Sequence, residues 1–113
     1  MLRVFTVVID IVIEDVARIK QVITELLNKL NELCIEKSNI GGSVVLATDT
    51  TLIEITIPVP SIEPRLGVPY IPKHIVRVRI SSTTPIEIVR ACRIIDEVCK
   101  KIPGVRASLT EKG

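Results

Sequence analysis

Leu52-Ile-Glu-Ile-Thr-Ile57 and Ile75-Val-Arg-Val-Arg-Ile80 decide the fold class of this chain. In the first stretch Ile53, Ile55 and Ile57 alternate with Glu54 and Thr56. In the second, Val76, Val78 and Ile80 alternate with Arg77 and Arg79. A period of two with β-branched residues on one side specifies a strand that buries one surface and wets the other. Between the two stretches, Pro58, Pro60, Pro64, Pro69 and Pro72 stiffen a connection longer than a hairpin needs.

Working outward, Leu2 to Val12 is almost continuously apolar, broken only by Arg3, Thr6 and Asp10. Such a run suits a central strand with neighbours on both sides. Glu14 and Asp15 then place negative charge where a helix begins. Val16, Ile19, Ile23, Leu26, Leu30 and Leu33 recur at spacings of three and four, with Val22, Leu27 and Cys34 widening the stripe. This spacing predicts an amphipathic helix lying on a sheet, ended by Asn39-Ile-Gly-Gly42. Val44 to Ala47 is a third strand candidate, set off by the turn-forming Thr48-Asp-Thr-Thr51. One bent strand from Val44 to Ile57 is the alternative. Thr84-Pro85-Ile86-Glu87 combines a capping-box pattern with proline at the first helical position. Ile88, Cys92, Ile95, Cys99 and Ile102 then mark a second helix, closed by Pro103-Gly104. Val105 to Leu109 reads as a short last strand, and Thr110 to Gly113 as a frayed end.

Strand, helix, two or three strands, helix, strand is the order of a ferredoxin-like, two-layer α+β sandwich. Its sheet is mainly antiparallel, and both helices share one face. The 113 residues are expected to form a single domain. Aromatic content of 2% leaves the core to Ile and Val, which favours a sheet. Few amides among abundant Ile, Lys, Arg and Glu match the composition of thermophilic proteins. The element order and the Lys101-Ile-Pro-Gly-Val105 turn resemble small ferredoxin-like sensor domains of the amino-acid-binding regulatory sort, a likeness of fold alone. Many such domains carry Asp-Arg-Pro-Gly after the first strand, where this chain has Asp10-Ile-Val-Ile.

A net charge of +2 is too small to imply nucleic acid or a membrane surface by itself. No run of 18 apolar residues predicts a transmembrane helix. The start of the chain lacks a signal-peptide cleavage pattern, and three cysteines without C-x-x-C point to a reduced, cytoplasmic setting. No phosphate-binding glycine loop, paired-carboxylate signature or Ser-His-Asp pattern is present, so an enzyme is disfavoured and no cofactor or metal is expected.

Two sets of residues stand out. The proline-rich connection gathers Arg65, the single tyrosine Tyr70, Lys73 and the single histidine His74, a set suited to an anion, a small polar ligand or a neighbouring subunit. Arg77 and Arg79 project from one strand face, and Arg3 joins them if the register allows. Such a face could track a phosphate backbone, although Glu54 and Thr56 stand where sheet-based RNA binders carry stacking aromatics. Pairing of Glu54 with Arg77 or Arg79 is the simpler reading. Val and Ile on both sides of the first strand suggest that the uncovered sheet face or edge meets a second copy. The expectation is a cytoplasmic, non-enzymatic homo-oligomer with a small-molecule-binding or regulatory role; the alternative is nucleic-acid binding.

Overall fold

The computed structural model describes residues 3–33, 36–40, 43–57, 61–63, 68–70 and 74–112, with the backbone alone at 36, 40, 61–63, 68–70 and 110–112. Its strands are β1 (Phe5–Ile13), β2 (Glu36–Ile40), β3 (Ser43–Ala47), β4 (Thr51–Thr56), β5 (Ser61–Glu63), β6 (Val68–Tyr70), β7 (His74–Ser82) and β8 (Val105–Lys112). The helices are α1 (Ile19–Leu30), entered through a short 3-10 turn at Val16–Arg18, and α2 (Pro85–Lys101). Six strands form one antiparallel sheet in the order β2-β3-β4-β7-β1-β8. β5 and β6 pair with each other as a separate two-stranded sheet within the proline-rich connection. The protein is therefore an α+β fold, with β2 and β3 giving the sheet more strands than the simple four-stranded ferredoxin-like order.

The alternation read from sequence sets the two faces. Ile53 and Ile55 of β4, Val76, Val78 and Ile80 of β7, and Ile9, Ile11 and Ile13 of β1 all enter the core under the helices. Direct register pairs such as Ile53↔Ile80, Ile55↔Val78, Val78↔Ile9 and Val76↔Ile11 stack these side chains in rows. From above, α1 contributes Val22, Leu26 and Leu30, and α2 contributes Ile88, Ala91, Ile95, Val98 and Cys99. Each fully buried Val, Leu or Ile contributes about 1.5–3 kcal/mol relative to exposure, before the entropy of ordering is subtracted.

Local chemistry explains the ends. Ala17 N donates to the Asp15 carboxylate at 3.0 Å, which starts the 3-10 turn. At α2, Thr84 is the extended N-cap residue and Pro85 begins the helix, but the expected capping-box side-chain bond is not formed. Ser82 takes over that work. Its Oγ accepts from Thr84 N at 2.9 Å and donates to Thr84 O at 3.1 Å. Buried Thr51, directly opposite, then donates its hydroxyl to Ser82 Oγ at 2.9 Å.

Two expectations change and one alternative closes. The first helix stops at Leu30, and Glu36–Ile40 is a strand pairing with β3. From Leu33 the next positions at spacings of three and four are the charged Glu36 and Lys37, and Ser38 and Asn39 are weak helix formers. The stretch from Glu36 serves instead as an edge strand with Lys37, Ser38 and Asn39 exposed. Second, of the two readings of Val44 to Ile57 the structure takes the separate strands and not the single bent strand, pairing them as a hairpin. Thr48 closes it by donating its N–H to Thr51 O at 2.9 Å and accepting from Thr51 N on Oγ1 at 3.0 Å. Third, β8 continues to Lys112, where Glu111 pairs with Val8 and Lys112 with Val7 across a bulge. β1 is long enough to template those residues, which local sequence alone left as a tail.

Candidate functional site

At one end of the sheet a cavity of about 260 Å³ is lined by Val12, Ile13, Glu14, His74 and Arg106. Strand register brings these distant residues together. His74 opens β7 directly opposite Ile13, and Arg106 near the start of β8 lies directly opposite Val12. Glu14 follows β1 and is fixed by the α2–β8 turn, donating its N–H to Gly104 O at 3.0 Å. Gly104 has φ +74, a left-handed conformation that side-chain-bearing residues rarely adopt. A Cβ there would also stand 3.4 Å from Glu14 Oε2. Glycine thus permits both the turn and the seat of Glu14. The cavity offers one carboxylate, one guanidinium and one imidazole around an apolar floor. That set can orient a small polar or anionic molecule.

Of the residues singled out in the connection, His74 reaches this cavity. Tyr70 is in β6 with its backbone opposite Ser61, and Arg65 and Lys73 lie outside the described residues. Sequence reading missed Glu14 and Arg106. Glu14 carried a weak signal as a charge between strand and helix, and Arg106 as a cation two residues beyond a turn glycine.

The three arginines do not share one surface. Arg3 Cζ lies 5.4 Å from the centroid of the Phe5 ring, and Phe5 packs against the core on the helix side. Arg77 and Arg79 are exposed on the helix-free face. Arg77 grips Asp10 with two bonds, Nε to Oδ1 at 2.8 Å and Nη2 to Oδ2 at 3.2 Å. This hydrogen bond, then the charge of Asp10, raises the Arg77 pKa further above its ordinary value. Arg79 stands directly opposite Glu54, with no ion pair between them.

The helix-free face is less apolar than composition suggests. On β1 it presents Thr6, Val8, Asp10 and Val12. Beside the Asp10–Arg77 pair, Thr6 meets Ser81 at 3.3 Å and Ser43 meets Thr56 at 2.8 Å, each across neighbouring strands. Val8 is nonetheless buried, and the register sets the long stem of Arg79 directly opposite it.

Burial pushes the Cys99 thiol up to about 11, with Asp96 adding to the shift, and burial also raises Cys92. Both are held in the unreactive protonated form. Among the described residues, no group of three or more His, Cys, Asp or Glu side chains could hold a metal ion. Nor is any helix there long and apolar enough to cross a membrane. A comparison of the chain with protein-family models and with curated proteins finds no match.

Proposed function

We propose that this chain is a non-enzymatic, homo-oligomeric binding domain built on a ferredoxin-like core, with β2 and β3 added at one edge. It holds a small anionic or polar ligand at the end of the sheet. The observation that carries this reading is the cavity in which Arg106, His74 and Glu14 surround Val12 and Ile13. Val12 and Ile13 give the cavity an apolar floor, and a guanidinium and an imidazole supply donors for a carboxylate or phosphate. Glu14 favours ligands that also carry an ammonium or hydroxyl donor.

The space admits something of roughly ten non-hydrogen atoms, since a liquid water occupies about 30 Å³. Thermal unfolding with acetate, inorganic phosphate and glycine as representative probes tests the reading. A ligand that binds only the folded state raises the midpoint as its concentration passes its dissociation constant. A midpoint that rises with one of the three in the unmodified chain, and stays level in Arg106→Ala, supports the site. Midpoints that respond equally in both proteins, or not at all, remove it.

Nucleic-acid binding is the second reading, favoured by exposed Arg79 and Arg106 on the helix-free face. Asp10 already neutralises Arg77 there, so the reading demands binding at low salt that weakens in Arg79→Ala. A gel-shift titration without such binding closes it.

A further inference from the structure

We propose that the ligand of the cavity is a zwitterion, one small molecule carrying an ammonium for Glu14 and a carboxylate for Arg106. This rests on the binding reading above and names the class of ligand. The register sets both charges on one face of the sheet. Glu14 donates its N–H to Gly104 O, which continues the β1–β8 pairing one residue beyond Ile13↔Val105. Arg106 stands directly opposite Val12, two residues after Gly104. Glu14 and Arg106 are therefore diagonal neighbours across two strands, a relation that sets their Cβ atoms about 7 Å apart. Val12 adjoins both, and all three line the cavity.

Opposite charges on side chains this long can close into an ion pair over that separation. These two do not. Among the described residues the ion pairs join Arg77 to Asp10, Arg90 to Glu87 and Lys100 to Asp96. Gly104 gives a reason on the acidic side: with no Cβ at that position, the Glu14 carboxylate settles over the turn, its Oε2 3.4 Å from where a Cβ would stand. On the basic side, Asp10 is the other diagonal neighbour of Arg106, and it is held by two bonds from Arg77. A carboxylate and a guanidinium thus border one cavity without joining across it. A simple anion at Arg106 would lie beside a like charge, and a simple cation at Glu14 would meet a guanidinium. A molecule bearing both charges satisfies the two side chains together, with Val12 and Ile13 as the floor for a short carbon skeleton.

The test titrates the full chain with glycine, and with acetate and methylammonium as the two halves of glycine. Dissociation constants are read from the amide NMR signals of Ile13 and Glu14 at neutral pH and fixed ionic strength. Glycine is expected to bind more tightly than either half by at least about threefold, the worth of one partly solvated charged contact. Glu14→Gln should erase the advantage of glycine over acetate, and Arg106→Gln its advantage over methylammonium. Acetate binding as tightly as glycine, with Glu14→Gln leaving both constants unchanged, overturns the zwitterion while the anion-binding reading stands. A glycine preference that survives in both variants also overturns it, because the two charges would not be its source. Signals that saturate with none of the three probes overturn both readings.

Discussion

Replacing Arg77 with Met should destabilise the protein more than replacing Asp10 with Asn, although both break the same pair. The side chains are unequally wet: Arg77 is 48% exposed and Asp10 13%. Arg77→Met keeps most of the aliphatic stem but takes the guanidinium away from a carboxylate largely withdrawn from water. Fully exposed pairs contribute about 0.2–1 kcal/mol, and breaking a fully buried one costs about 3–5 kcal/mol. This pair lies between, with its arginine end solvated, so Arg77→Met should cost about 1–2 kcal/mol. Asp10→Asn leaves the guanidinium in water and keeps an amide oxygen able to accept from Nε, so its cost should be about 0.5 kcal/mol. Urea unfolding of both single variants and the double variant at neutral pH gives the coupling energy directly. Coupling of about 0.5–1 kcal/mol, only partly lost at molar salt, is expected. Coupling indistinguishable from zero, or an Asp10→Asn cost exceeding that of Arg77→Met, would refute the unequal-burial reasoning.

Three further outcomes follow from the core and its polar supports. Ile11→Ala, at the fully buried centre of β1, should cost about 2–5 kcal/mol in urea unfolding, while Val12→Ala on the opposite face should cost less than half as much. Ser82→Ala removes the acceptor of both Thr84 N and the buried Thr51 hydroxyl, so a loss of about 1–3 kcal/mol is expected; restoring most of it with Thr51→Val in the same chain would confirm the orphaned hydroxyl as the cause. The Cys99 thiol is raised from 9.0 to about 11, so the unfolded chain releases this proton first. Its contribution to stability is therefore intact below about pH 9 and declines towards pH 11, by up to about 1.4 kcal/mol per unit. Cys99→Ala should flatten that decline, and an unchanged slope would count against the buried-thiol account.

How much was legible in the sequence depended on whether burial imposed a period. β4, β7 and α2 were readable because one face of each is fully committed to the core, which forces the alternation of Ile53, Ile55, Val76, Val78 and Ile80 and the helical spacing from Ile88 to Ile102. β2 escaped because an edge strand buries too little to impose any pattern. Gly41-Gly42 between Ile40 and Ser43 fits a helix end and the two-residue gap of a hairpin alike. The far end of β8 was unreadable for a related reason: its order comes from pairing with β1, a partner about a hundred residues away in sequence. The cavity was half legible. His74 stood out as the single histidine, whereas Glu14 and Arg106 join it only through the register of β1 with β7 and β8. Asp10 stood out only as a break in an apolar run, and the register gives it Arg77 by placing the two directly opposite.

The ligand site is tested most directly by two-dimensional amide NMR of the full chain titrated with acetate, inorganic phosphate and glycine. Saturable shifts concentrated at Val12, Ile13, Glu14, His74 and Arg106 for at least one probe, and lost in Arg106→Ala, are the predicted result. Shifts that never saturate, or that map to the helix-free face and leave the His74 end of the sheet unmoved, would contradict it.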